Sequence, residues 1–286
     1  MKKTILYSKS KEIATIQLCN PENHNSINTE MALQIQQYLD LADEDPDVRV
    51  VILTGSGKSF CAGQDLGEMI CDEAPSIRKV LTQNHNPIVS KIKSMGKPVI
   101  AAVNGVAAGA GAVFALACDL IVASESAFFI QAFSKIGLTP GSGSTYFLPR
   151  LIGMQKSMGH LLLGNKISAT DAEKMGMIYA VVKDDLFETE VLSIAMQLCQ
   201  LPSLSLQYTK MALTQSMGND LENQTQLEDE LKCLAGESDD YLEGVSAFLE
   251  KRKPIFNQKN NKELQLVAKD IAENFKTKLG LKIYQN

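Results

Sequence analysis

Residues 97–119 read KPVIAAVNGVAAGAGAVFALACD, and the fold turns on this stretch. Its apolar opening, 98–103, has the length and composition of a buried strand. Asn104–Gly105 makes a tight turn. A helix opens near Gly109 and runs to Ala117. Only Val and Ala stand among Gly105, Gly109 and Gly111, so little side chain shields the helix start. A strand feeding a small-residue turn and then a helix leaves backbone N–H groups unpaired, and these suit a carboxylate, a phosphate or a developing oxyanion. Two plainer readings compete. One is a membrane span with small-xxx-small spacing, which the Ala content, the interruption at Asn104 and the lack of a second span oppose. The other is a core βα unit whose glycines only permit close packing.

With 286 residues the chain has length for one large domain or two small ones, each with an ample core. Its net charge is −5 and no run of five basic residues occurs, which argues against nucleic acid or an anionic membrane as partner. The opening MKKTILYSKSKE begins with two adjacent lysines, at 2 and 3, but has no apolar segment of signal-peptide length. The six cysteines form no CxxC pair and read as reduced thiols, so a cytoplasmic protein is expected. The three histidines stand at no metal-ligand spacing, and no metal site is expected.

Residues 3–7 and 13–18 alternate apolar and polar around SKSKE, the pattern of a β-hairpin ended by Asn20–Pro21. A polar loop at 21–28 leads to Asn28 as N-cap of a helix over 29–44, with Met31, Ile35, Tyr38, Leu39 and Ala42 on one face. Residues 49–54 form a strand apolar enough to be buried on both faces. After a turn comes SFCAGQDL, 59–66, with a second small-residue turn at Ala62–Gly63, where another helix is expected. A mobile loop is expected at 67–78 and a helix over 76–95 bent at Pro87. Short strands at 120–123 and 127–130 precede a glycine-bearing loop, 132–145. From Tyr146 onward the pattern is helical. Ser168 and Asp171 cap a helix over 169–175, and others follow at 187–200, 204–217, 221–235 and 239–251. The reading is an α/β fold: a core over 1–200, a helical region over 201–256, and a tail over 257–286, polar and then amphipathic.

Two small-residue turns, each delivering backbone N–H groups, look like a two-amide oxyanion hole. That signature resembles the crotonase (enoyl-CoA hydratase/isomerase) superfamily. The matching pieces span nearly the whole chain. They are Asn20–Pro21 with NSIN at 25–28, FCAGQDL at 60–66, residues 97–111, Ala117–Cys118–Asp119, GLTP at 137–140 with Gly143 and Thr145, Gly164, and Glu243–Gly244 with FLEKR at 248–252. FCAGQDL, GVAAGAG, AFSKIGL and GVSAFLEKR most resemble the branch acting on 2-(1,2-epoxy-1,2-dihydrophenyl)acetyl-CoA and on 2,3/3,4-enoyl-CoA isomerisation.

The resemblance implies a spiral of ββα units with a C-terminal helical trimerisation region, assembled as a homotrimer or a dimer of trimers. It implies an acyl-CoA thioester as substrate, with no further cofactor. The amides of Gln64 and Ala110 would bind the thioester oxygen. The Ala62 carbonyl would accept the adenine amino group, with Asp65 and Leu66 in the same coenzyme-A turn. Phe248 and Lys251 would reach the nucleotide from an adjoining subunit. Met69, His85, Val113, Phe133 and Gly141 would border the acyl group. The departures from the family pattern matter as much. The hydratases carry glutamates at the positions of Val113 and Phe133, and the isomerase branch carries an acid at the position of Gly141. Hydration needs a positioned base and acid, which Val, Phe and Gly do not supply.

Other residues offer substitutes, each with a plain alternative. His85 either titrates near neutral pH beside the acyl group or is a solvent-facing helix histidine. Ser142, Ser144 and Thr145 either orient a water or make loop and cap bonds. Tyr146 either hydrogen-bonds an acyl group or packs in the core. Glu68, Asp72 and Glu73 read as solvated, with Glu68 near the pocket mouth. Cys61 reads as core, His24 as exposed, and His160 as a satisfied core group. Asp65 and Asp119 read as ties to loop N–H groups. Three functions remain open at this point: an isomerase-like acyl-CoA enzyme that is no crotonyl-CoA hydratase, a decarboxylase of acyl thioesters, and a coenzyme-A-binding homologue without activity.

Overall fold

Residues 4–257 are described by a computed structural model, and beyond Asn257 the tail expected at 257–286 lies outside the described residues. The N-terminal hairpin forms as its alternation predicts: β1 (Ile5–Ser10) pairs antiparallel with β2 (Ile13–Leu18). Helix α1 (Thr29–Glu44) begins at Asn28, whose side-chain oxygen accepts the Met31 amide at 2.9 Å. The burial of β3 (Val50–Gly55) follows from cover on both sides. Val51 and Leu53 join the main core, while Val50 and Ile52 face a smaller cluster with Phe187, Val191 and Ala195.

From β3 onward the chain repeats a pattern: a long strand, a sharp turn, then a three-residue strand in a second sheet. β3 feeds β4 (Ser59–Cys61). The segment between them and the next long strand holds α2 (Ile77–Lys79), a π-helical stretch (Val80–His85) and α3 (Asn86–Ser94). Then β5 (Val99–Val103) feeds β6 (Val106–Ala108) and α4 (Ala110–Ala117), and β7 (Leu120–Ser124) feeds β8 (Phe128–Ile130). Helices α5 (Ser144–Ile152) and α6 (Met154–Leu163) come next, then β9 (Ile167–Ser168), α7 (Ala169–Lys174), β10 (Ala180–Val182) and α8 (Phe187–Cys199). The long strands, with the short β10 at the edge, form one sheet, ordered β1-β2-β3-β5-β7-β10, and the remaining short ones another, ordered β4-β6-β8-β9. Asn104 joins neighbouring corners: its Oδ1 accepts the Gly55 amide and its Nδ2 donates to the Gly57 carbonyl.

The chain divides into two compact units, Met1–Cys199 and Gln200 onward. The second holds α9 (Ser203–Ser216), α10 (Leu221–Gly236) and α11 (Asp239–Leu249), with Tyr208, Leu227 and Leu231 at its own small core. Among the described residues no helix is long and apolar enough to cross a membrane.

Several expectations are corrected. No helix follows Ala62–Gly63; the chain pairs once with Ile27 and continues in turns. The bend expected at Pro87 is a change of helix type upstream of it. Helical pattern after Tyr146 gives way to β9 and β10, too short for alternation to register. A single 3₁₀ turn, Phe133–Ile136, sits in the loop at 132–145.

Candidate active site

Two turns abut. The first follows β4. The Ile27 amide donates to the Gly63 carbonyl at 2.7 Å and the Asp65 amide donates to the Ile27 carbonyl at 2.9 Å, so the Gln64 amide between them is left over. The second follows β6: the Gly109 amide donates to Ile130 at 2.9 Å, and Ala110 becomes the first residue of α4. A Cβ on Gly63 would stand 2.8 Å from the Ala108 carbonyl oxygen and 3.2 Å from the Ala110 nitrogen. Gly63 also has φ +93°, a conformation that glycine adopts without strain. Among the described residues, neither the Gln64 amide nor the Ala110 amide donates to a protein acceptor. Cys61 is core, as expected: the Gly63 amide donates to its sulfur at 3.4 Å, and burial pushes the thiol up to about 12, so it stays protonated.

Above these turns the structure holds a tether that the sequence did not reveal. The expectation of a solvated Glu68 is corrected. Instead its Oε1 accepts the Thr29 amide at 2.9 Å and its Oε2 accepts the Gln64 side-chain amide at 2.8 Å. Thr29 Oγ1 accepts from Asn84 Nδ2, and Gln36 Nε2 donates to the carbonyls of Gln83 and Asn84. The two Gln36 bonds give backbone carbonyls of the π stretch a partner outside the helix. No local signal marks them, because the partners are about fifty residues apart in sequence.

His85 ends that π stretch and is 4% exposed. Both sequence readings of it are corrected: it is not solvent-facing, and burial lowers its pKa to about 4, against a smaller opposing effect of the Glu68 charge. Its ring meets Phe114 edge-on, with centroids 5.5 Å apart. The Phe133 ring lies beside Gly109, 3.9 Å from where a Cβ would be, and Leu81 stands 3.2 Å from a Cβ position on Gly141. Val113 is wholly buried in α4, Met69 is half-buried, and Ala62 half-buried. Leu66 is 55% exposed, and Asp65 accepts the Gly67 amide at 2.9 Å, a tie of the kind expected. Asp119 likewise accepts the Val99 amide at 2.8 Å.

Tyr146 is not in the core; it is 41% exposed and lies under the Arg150 guanidinium, 3.8 Å from the ring centre. His160 is half-buried with Nδ1 unpartnered, so it is not the satisfied group expected. Ser144 donates to the Gln131 side-chain oxygen, while Ser142 Oγ is buried without a partner. His24 is exposed, as expected, and pairs with Ser59 Oγ at 3.1 Å. Phe248 and Lys251 belong to the second unit, where Phe248 is 82% exposed. A separate cleft of about 660 Å³ opens beyond β3, β5 and β7, lined by Lys58, Asn104, Ser126 and Asp185 among others, and shares no residue with the two turns.

Residues 8–259 match the family described as enoyl-CoA hydratase/isomerase. The 1,2-epoxyphenylacetyl-CoA isomerase of Escherichia coli is 43% identical over 262 residues, 91% of this chain and 100% of that protein. The crotonyl-CoA hydratase of Syntrophomonas wolfei is 34% identical over 256 residues, 89% of this chain and 98% of that protein. The crystal structure of enoyl-CoA hydratase from Bacillus anthracis superposes with a TM-score of 0.85 at 31% identity, covering 90% of this chain and all of that one.

Proposed function

Because the chain belongs to the enoyl-CoA hydratase/isomerase family, we propose that it binds an acyl-CoA thioester with the amides of Gln64 and Ala110 directed at the thioester oxygen. The observation that carries this reading is the abutment of two turns whose amides have no protein acceptor. Removing a proton next to the thioester carbonyl moves negative charge onto that oxygen. Donors fixed there favour the transition state over the ground state, each by about 3 kcal/mol.

The reaction is isomerase-like. Val113, Phe133 and Gly141 offer no acid or base for adding water to a double bond, so crotonyl-CoA is not hydrated. In this reading Ala62, Asp65 and Leu66 meet the nucleotide, Phe248 and Lys251 approach it from a second copy, and the chain works as a homotrimer or a dimer of trimers. Calorimetric titration with acetoacetyl-CoA tests the reading: saturable binding supports it, and no heat at millimolar ligand removes it.

The same lack of carboxylates favours a second reaction on the same amides. Decarboxylation of an acyl thioester yields the enolate directly, without a protein base. Release of carbon dioxide from malonyl-CoA, with no double-bond shift in 3-enoyl-CoA, would select it.

A further inference from the structure

We propose that His85 is the proton carrier of this site, taking a proton through Nε2 from the carbon next to the thioester carbonyl. The proposal rests on the acyl-CoA reading above. Three buried side-chain atoms without hydrogen-bond partners fall on the segments that frame the site: Gln64 Oε1, His85 Nε2 and Ser142 Oγ. Buried polar atoms are almost always paired, so such atoms point to a missing ligand. Of the three, only the imidazole is a base.

Its position is built rather than incidental. The ring stands against Phe114, one helical turn beyond Ala110 on the same face of α4. One turn earlier, Leu81 lies over Gly141, where the isomerase branch carries its acid. Glu68, whose charge acts on the ring, holds the Gln64 side chain at 2.8 Å. The π segment that sets the ring is pinned by Gln36 and Thr29. His85 therefore lies among the elements that carry both leftover amides.

The chemistry balances without a further reactant. The Nε2 lone pair takes the proton, the C–H pair becomes the enolate, and the thioester oxygen carries the charge between the two amides. In a 3-enoyl thioester the new N–H then returns its proton to the fourth carbon, counting the carbonyl as the first, which moves the double bond to between the second and third carbons and restores the neutral ring. Burial keeps the imidazole neutral at neutral pH, and its pKa of about 4 puts its basicity in the range of an ordinary carboxylate. Among the described residues, Glu68 is the charged group that acts on it, and its carboxylate stabilises the imidazolium during the transfer.

The test is deuterium incorporation next to the carbonyl of phenylacetyl-CoA in heavy water, followed by mass spectrometry, with binding followed separately by calorimetry. The wild type is expected to exchange. His85→Gln is expected to lose at least about a hundredfold in exchange rate, while its affinity changes by less than about threefold. His85→Ala is expected to regain part of the rate with added imidazole. Exchange by His85→Gln within about threefold of wild type overturns the proposal, as does a wild type that binds but does not exchange. A wild type that does not bind overturns the acyl-CoA reading instead. If His85→Gln fails to bind, Glu68→Gln decides: the acid limb of the exchange profile moves to lower pH if His85 is the base, and an unmoved limb overturns the proposal.

Discussion

Gly111 lies against Cys61 so closely that a Cβ on it would overlap the Cys61 carbonyl oxygen. The first turn of α4 and the end of β4 are held together by a contact that only glycine permits. Gly111→Ala is expected to cost about 2–3 kcal/mol through overpacking of backbone that cannot swing away. Differential scanning calorimetry should show a midpoint lowered by roughly 4–12 °C, and calorimetric titration should show weakened acyl-CoA binding. An unchanged midpoint would contradict the contact.

Ala110→Pro separates the amide from the fold. Proline is accepted at the first helical position and carries no N–H. The variant is expected to unfold within a few degrees of wild type yet to lose about a hundredfold in enolate formation, the equivalent of one oxyanion donor. Wild-type exchange of phenylacetyl-CoA in this variant would show that the Ala110 amide has no such part.

Acid sensitivity follows from His85. The unfolded chain protonates this group below about 6.5 and the folded chain only below about 4, so across that window the unfolded state binds the extra proton. Stability therefore falls as pH falls from 6.5 toward 4, by about 3 kcal/mol from this residue. Urea unfolding of wild type and His85→Gln at both ends of the window checks it. The variant should lose less stability on acidification, and parallel losses would refute the assignment.

Asn25 holds the N-terminal loop against the first turn. It is fully buried, accepts the Asn20 amide at 2.8 Å, and donates to the carbonyls of Ser56 at 2.9 Å and Ser59 at 2.7 Å. Asn25→Ala leaves these groups unpaired and is expected to cost about 2–4 kcal/mol. Chemical denaturation should show it as a lower midpoint with an unchanged slope.

What the sequence disclosed depended on whether the cause was local. Helix α1 was read with its bounds because Asn28 caps it and its apolar face repeats cleanly. The corners at 104–105 and 62–63 were visible as small-residue turns. Strand β6 was not, since three residues carry no period, and the helix expected after Gly63 failed because Ile27, far upstream, takes the backbone bonds there. The burial of His85 is not legible in the sequence because its ring packs on Phe114, which is remote along the chain. The two leftover amides were legible in outline, but the polar framework around them was not.

The π stretch before Pro87 has a consequence for comparing relatives. It holds one more residue than an uninterrupted α-helix of the same reach, and one residue turns a helix by about 100°. Deleting one residue from 80–84 would therefore turn the side chains ahead of the deletion by about 100° relative to α3. A homologue shorter by one codon here would present a different side chain to the same neighbours. Ungapped alignment across this stretch would pair residues that do not share a direction, and chemistry could change hands between neighbouring positions with no change in fold.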